Sequence, residues 1–378
     1  MHKIAILGGG IGGLTLANVF QKLNIEYQLF ESTPEFKEVG AGIGISESTI
    51  EIFKMLNLKE QLIENGFHVE KAIIVDKNLN EIKKIPTTNG GICIHRMNLI
   101  NILAENLDPT NLKLGHKLLN FYKDDNKVSL TFANDKTYKF DTVISCDGIN
   151  SIVRKKIFPS IKKRYSGQTI YRGIATCELP KKFNKNYYEF WGDNLRFAII
   201  SITKNEYYWY AVKCAKANEK SNPSTVKSEL KALFKTYASE VSLVIEKSEK
   251  IIKDDMWDLP PEKRKWHHEN IVFLGDAIHA TTPNLAQGGC QAIEDAITLG
   301  RIIEKYGANE EAFILYKNLR QEKVNYIVKQ SWKYGKLAHQ SNIISEKLII
   351  SLFKRILPNR FFQNQYNRLI DLSYLKEI

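Results

Sequence analysis

The 378-residue sequence predicts a mixed protein, α/β with α+β character, in which a parallel nucleotide-type sheet is interrupted by an antiparallel sheet and closed by C-terminal helices. Three observations carry this. The chain opens on KIAILGGGIGG, a short apolar run that ends on glycines. Between Tyr171 and Val212, aromatic strand-like runs (YRGIATCEL, YYEFWG, LRFAIISI, YYWYAVK) are separated by GDN and KNE, which read as hairpin turns. From Ala292 onward the pattern is mostly helical, with a break at Pro358.

Taken in order, KIAILGGG reads as a buried strand, IGGLTLANVFQKLN as an apolar-periodic helix and IEYQLFE as a second strand ending on Glu31. ESTIEIFKMLNLKEQLIENG is expected to be one helix. VEKAIIVDK and GICIHR are strand-like, and NLINILAENL is amphipathic. KVSLTFANDKTYKFDTVISCDG reads as a hairpin running into a buried strand. After the aromatic runs, STVKSELKALFKTYA returns to helical spacing and IVFLGD is again a buried strand ending in glycine. Nucleotide-type elements therefore come from both ends of the chain, with the aromatic sheet between them. The expected division is a discontinuous nucleotide-binding domain of 1–73, 95–165 and 267–340, a substrate sheet of 74–94 and 166–266, and a C-terminal helical segment of 341–378.

Composition narrows the function. The net charge is +12, but the lysines are scattered and no nucleic-acid-reading module stands out, so no nucleic-acid partner is expected. A mildly basic surface suits small anions, a reduced nicotinamide phosphate among them. The five cysteines, Cys93, Cys146, Cys177, Cys214 and Cys290, include no CxxC pair and read as free thiols of a reducing, cytoplasmic compartment. The apolar start is too short for a signal peptide, and no run of about 18 apolar residues exists to span a membrane. The basic amphipathic stretch SEKLIISLFKRILPNRFFQNQYNRLI is expected to cover the pocket or the lobe junction rather than lie on a membrane, since Pro358 interrupts it. No interface signature speaks to oligomeric state.

GGGIGG places Gly8, Gly10 and Gly13 in a G-x-G-x-x-G turn between strand and helix. The first glycine allows the tight turn, the second lets backbone approach a pyrophosphate, and the third seats the helix on the strand. Glu31, at the end of the next strand, stands where an acidic group meets a ribose hydroxyl. The motif reads as Rossmann-like dinucleotide binding without separating FAD from NAD. VISCDGINSIVR adds Asp147, Gly148, Ser151 and Arg154, and GDAIHATTPNLAQGGCQAIEDA adds Asp276, His279, Glu294 and Asp295 around a Pro/Gly loop. That last cluster reads as an acid/base group, a metal site or a loop built to hold something else. A metal is disfavoured because no other His or Cys has ligand spacing.

Together and in this order, GGGIGG with Glu31, DGINSIVR and GDAIHATTPNLAQGGCQAIEDA resemble the single-component FAD-dependent aromatic hydroxylases, which share the para-hydroxybenzoate hydroxylase fold. The resemblance runs from Lys3 to about Asp371. GAGIGIS, ATTPNLAQGGCQAIEDA, WDLPPEKRKW, WKYGKLAHQSN and LPNRFFQNQYNRLIDLSY look like the branch holding salicylate hydroxylases, urate hydroxylases and zeaxanthin epoxidase. The resemblance implies a Rossmann-like FAD-binding domain with an inserted antiparallel β-sheet substrate domain. It also implies a reaction in which NADPH or NADH reduces FAD, O2 adds at flavin C4a, and the hydroperoxide passes one oxygen atom to an aromatic or conjugated small molecule. No catalytic side chain is implied, because the flavin carries the chemistry. An NAD(P)H oxidase or reductase without productive oxygen transfer, and a non-catalytic flavin-binding protein, are the competing readings.

By the same resemblance, Asp276 accepts from the ribityl hydroxyls, and the loop from Pro283 to Gly289 passes beside the flavin ring. Gly288 and Gly289 offer N–H groups at a helix start, where reduced flavin gathers negative charge. Gly42 belongs to the cofactor set, Arg96 contacts the flavin chain and Asp147 serves both FAD and the nicotinamide. His279 is expected to pack behind the cofactor. Phe190, Arg196, Tyr208 and Tyr210 are the candidates to face the substrate. Two departures stand out. Ala286 replaces a glycine common in relatives, and Asn284 replaces the Asp of the urate branch, which argues against urate itself.

Overall fold

The structure is a computed structural model and describes residues 2–36, 41–85, 90–124, 126–262, 265–339, 348, 350–356 and 358–378. Its first part comprises β1 (Ile4–Leu7), α1 (Ile11–Lys22), β2 (Tyr27–Phe30), β3 (Gly42–Ile45), α2 (Glu47–Met55), α3 (Lys59–Asn65), β4 (Gly66–Val69), β5 (Lys71–Asp76), β6 (Glu81–Ile85), β7 (Gly91–His95) and α4 (Arg96–Glu105). There follow β8 (Leu112–Lys113), β9 (Leu118–Asp124), β10 (Lys127–Phe132), β11 (Thr137–Phe140), β12 (Thr142–Ser145), α5 (Ile152–Ile157) and β13 (Arg164–Thr176). Next come β14 (Asn186–Gly192), β15 (Leu195–Ser201), β16 (Glu206–Cys214), α6 (Val226–Leu233), α7 (Ser239–Glu246) and β17 (Ser248–Asp258). The last elements are β18 (His267–His268), β19 (Ile271–Phe273), α8 (Asp276–His279), α9 (Gly288–Tyr306), α10 (Glu310–Leu337) and α11 (Asn359–Ile370).

The nucleotide-type layer is a six-stranded sheet in the order β18-β19-β12-β1-β2-β8, parallel from β19 to β8. β1 and β12 are buried at every position, as strands covered on both faces should be. Small residues let α1 approach its neighbours closely: a β-carbon at Gly300 of α9 would run into Val19, and one at Gly12 would lie 2.7 Å from Leu274, just after β19. α1 ends on Asn24 with positive φ, and Ile25 N–H closes the turn onto Phe20 O at 2.9 Å.

The aromatic runs form a seven-stranded sheet, β17-β13-β16-β15-β14-β5-β6, in which only β14 and β5 pair parallel. The β14–β15 hairpin turns on Asp193 and Asn194, both with positive φ, which pairs Trp191 with Arg196. One face carries Phe190, Phe197 and Trp209 onto Leu230 of α6, Phe234 just after it, and Val241 and Val244 of α7. The opposite face carries Tyr187, Glu189, Trp191, Arg196, Tyr208 and Tyr210. Small three-stranded sheets, β3-β7-β4 and β11-β10-β9, complete the strands.

The expected single helix over 47–66 is two. Asn57 takes positive φ, Leu58 N–H bonds to Phe53 O at 2.9 Å, and this C-terminal cap separates α2 from α3. The expected domain cut between 73 and 74 falls inside β5, which pairs with β14 along its whole length. Residues 91–94, expected in the substrate sheet, lie in β7, which pairs with β3 and β4 instead. The cut between 340 and 341 lies outside the described residues.

Candidate cofactor and substrate site

The glycine turn is set by contacts that a side chain would destroy. Gly8 has φ +108°, and a β-carbon there would lie 2.5 Å from Cys146 O. A β-carbon at Gly13 would drive into the Gly8 carbonyl, whereas nothing lies within 4 Å of one at Gly10. The turn is thus closed toward the protein at its first and last glycines and open at the middle one. α1 starts there with no side-chain cap. Its N–H groups and positive dipole end are those of an anion site.

Glu31 reaches this turn from the end of β2. Its Oε2 accepts from Gly9 N–H at 2.6 Å, and Oε1 accepts from Thr33 N–H at 2.9 Å and Ser32 Oγ at 2.8 Å. Burial pushes the carboxyl pKa up, but these donors outweigh it and hold it below the ordinary value. On the other side, Gly148 is open, with φ +74°. The Asp147 carboxylate turns into its own loop, accepting from Ser145 Oγ and from Ile152 N–H at 2.9 Å. Arg154, fully buried, ties that loop to α8 by donating to Ile149 O and Ala277 O, each at 2.6 Å.

The second half of the site forms where β3 meets the start of α9. A β-carbon at Gly289 would touch Ile43 at 3.0 Å and Ile11 at 3.5 Å, and one at Gly288 would stand 3.9 Å from Asp276 Oδ1. Arg96 N–H donates to Ala41 O at 2.9 Å, fixing the start of α4 beside β3. Burial and the neighbouring Arg172 lower the Arg96 pKa, with Asp276 and Tyr208 opposing. The Asp276 side chain is solvent-exposed, yet the protein around it raises its pKa against the pull of His279, Arg96 and Arg154.

Behind α9 lies a buried ionic cluster. Arg320 of α10 donates to Glu294 at 2.7 Å, Asp295 at 2.8 Å and Gln291 Oε1 at 2.7 Å. His279 Nε2 lies 2.5 Å from Asp295 Oδ2, and Gly275 N–H donates to the same oxygen at 3.0 Å. Glu294 and Asp295 of the GDAIHATTPNLAQGGCQAIEDA stretch therefore face inward and brace the helix start, whereas Asp276 is exposed. No group of three or more His, Cys, Asp or Glu residues that could hold a metal exists among the described residues.

The antiparallel sheet roofs this arrangement through Tyr208, whose ring would be 2.5 Å from a β-carbon at Gly42. Burial raises the Tyr208 pKa to about 12. These features run from the α1 turn to the α9 turn, with glycine backbone at both ends.

Residues 1–331 match the model of a family described as the FAD binding domain. The chain belongs to this family. It is 30% identical over 360 residues to the aurachin C monooxygenase/isomerase of Stigmatella aurantiaca, covering 92% of this chain and 93% of that one. It is 26% identical over 377 residues to the 2-heptyl-3-hydroxy-4(1H)-quinolone synthase of Pseudomonas aeruginosa, covering 97% of each. Among solved structures, Klebsiella pneumoniae HpxO complexed with FAD and uric acid superposes with a TM-score of 0.88 at 20% identity, covering 98% of this chain and 97% of that one. The relatives are named as monooxygenases and hydroxylases, and this family member is an oxidoreductase of that class.

Within this FAD-domain protein the expected residues separate by position. Gly8, Gly10, Gly13, Glu31, Asp147 and Gly148 lie at the α1 turn. Gly42, Arg96, Asp276, Gly288 and Gly289 lie at the α9 turn, with exposed Pro283 in the loop between α8 and α9. Arg196, Tyr208 and Tyr210 share the roof face, but Phe190 does not. It is fully buried on the opposite face, with its ring 6.4 Å from Tyr237, because neighbouring residues of a strand point to opposite sides. Its neighbour Glu189, absent from the expected set, occupies the roof. Glu189 accepts from Trp191 Nε1 at 3.0 Å, Arg196 at 3.2 Å, Tyr210 at 3.1 Å, Tyr334 at 3.2 Å, and Tyr187. An acidic residue inside an aromatic strand, across a two-residue turn from an arginine, was the signal in the sequence.

Proposed function

We propose that the chain is an NAD(P)H-dependent FAD monooxygenase of the cytoplasm that inserts one oxygen atom of O2 into an aromatic or conjugated small molecule. The supporting observation is the convergence of three motifs, far apart in sequence, on one glycine-lined cradle roofed by Tyr208. Gly8, Gly10, Gly13 and Glu31 would hold the adenosine and pyrophosphate, Asp276 and Arg96 the flavin chain, and Gly42, Gly288 and Gly289 the ring edge. FAD supplies the redox chemistry, accepting a hydride from NADPH or NADH and activating O2. The residues do the rest. The α9 start favours negative charge beside the ring. The roof face excludes water, which protects a reactive oxygen species from discharge. The five free cysteines suit a reducing compartment. A quinolone is the first substrate to try, because a relative aligned over nearly the whole chain is named for one.

The test begins with the visible spectrum of the purified protein. A yellow protein should oxidise NADPH or NADH faster with one member of a panel of quinolones, phenolic acids, purines and polyenes, yielding a product one oxygen heavier. Asp276→Ala should lose most of its FAD and stay folded. A colourless protein that FAD cannot reconstitute defeats the cofactor assignment, and hydrogen peroxide as the sole product with every compound supports an oxidase.

A further inference from the structure

We propose that Glu189 sets the substrate preference of this site by cancelling the charge of Arg196, so that the pocket selects a neutral heteroaromatic over an anionic one. The inference rests on the roof face being the substrate side. Arg196 and Glu189 are both 1% exposed. Arg196 Nη1 lies 3.2 Å from Glu189 Oε1, and Nη2 donates to Asn284 Oδ1 at 2.5 Å. A buried guanidinium needs a counter-charge, since an unpaired buried ion is strongly destabilising. In a site that recognises a carboxylate, the ligand supplies it. Here the chain supplies it, and the hydroxyls of Tyr187, Tyr210 and Tyr334 with the Trp191 indole complete the shell around the acid.

Of the nearby arginines, Arg172 pairs with the half-exposed Asp254, and Asp276 attracts Arg96. Asn284 extends the argument. Its Nδ2 donates to Thr282 Oγ1 at 3.1 Å and Ser331 O at 2.9 Å, so it joins Arg196 to the α9 loop without adding charge. An anionic ligand entering this shell would leave a buried net negative charge. A neutral ring with carbonyl and N–H groups would not. Glu189 is thus a positioning residue that acts through Arg196.

The test titrates the FAD-loaded enzyme with 2-heptyl-4(1H)-quinolone and with salicylate, following the flavin spectrum. The wild type should bind the quinolone at least about tenfold more tightly. Glu189→Gln, which leaves Arg196 uncompensated, should shift that ratio at least about tenfold toward salicylate. The double variant Glu189→Gln/Arg196→Gln, neutral again, should return to the wild-type preference. Equal or tighter salicylate binding by the wild type overturns the proposal, as does a ratio unchanged in Glu189→Gln. If Glu189→Gln does not fold, the double variant carries the test, and loss of discrimination there overturns it. The FAD content of each preparation tests the cofactor assignment separately.

Discussion

Ala286 holds a left-handed backbone conformation, φ 51° and ψ 31°, at the end of the short turn that leads into α9. A β-carbon makes that region costly for any residue but glycine. Ala286→Gly should therefore stabilise the protein by about 1 kcal/mol, read as a raised urea midpoint with unchanged m-value. An unchanged or lowered midpoint would mean that the turn relaxes without strain. The sequence marks this alanine as a departure, but the strain needs the dihedral. Glu189 and Phe190 make the complementary point. Both stand in a strand the sequence identifies, yet which of two neighbours faces the roof is a matter of register, and register is fixed by the Asp193–Asn194 turn and by pairing with β15 and β5.

At the scale of the element, α9 is a helix whose start must hold still, and Arg320 of α10 supplies the brace. Arg320, Glu294 and Asp295 are all fully buried. Arg320→Leu should cost about 3 kcal/mol, because two buried carboxylates lose the partner they share, and FAD affinity should fall with it. Equilibrium unfolding and FAD titration check both, and an unchanged midpoint would show the brace to be dispensable. The cluster also fixes an acid limit. Burial pushes Asp295 upward, but His279 and Arg320 prevail and hold its pKa at about 2. A depressed carboxyl contributes stability that is complete above its unfolded pKa, near 4, and is lost as pH falls toward 2. Asp295→Asn should flatten the stability curve in that window. A slope equal to wild type would remove Asp295 from the acid response. Sequence reading captured the Gly288–Gly289 helix start. The partner of Glu294 and Asp295, 25 or 26 residues away on another helix, carries no periodic signal.

Over the whole molecule, the last described segment packs onto both lobes. Phe353 packs against Trp191 with ring centroids 5.3 Å apart, and Tyr366 OH donates to Glu47 at 2.5 Å. Tyr374 OH lies 3.0 Å from Glu294 and 2.8 Å from Arg320, Lys323 donates to Asp371 O at 2.6 Å, and Leu375 is 5% exposed. This agrees with a covering role for the C-terminal helices. Among the described residues no helix is long and apolar enough to cross a membrane. Removing residues 371–378 should lower Tm by roughly 5 °C and weaken FAD retention. A truncated chain that melts like wild type would make these contacts superficial. Alternation and turn residues made the layers and the central aromatic strands legible. The edge strand β17 was missed, since its charged SEKIIKDDMWD pattern lies half in solvent and lacks clean alternation.

The tie between Tyr374 and the α9 cluster also bears on biogenesis. A nascent chain emerges N-terminal end first, so the α1 turn and the β1–β2 pair can form early. β19 pairs with β12 across about 130 residues of chain, and Tyr374 joins the Arg320 brace from still further along. The carboxylates behind the α9 start thus meet Arg320, and then Tyr374, only after a later stretch of chain has been made.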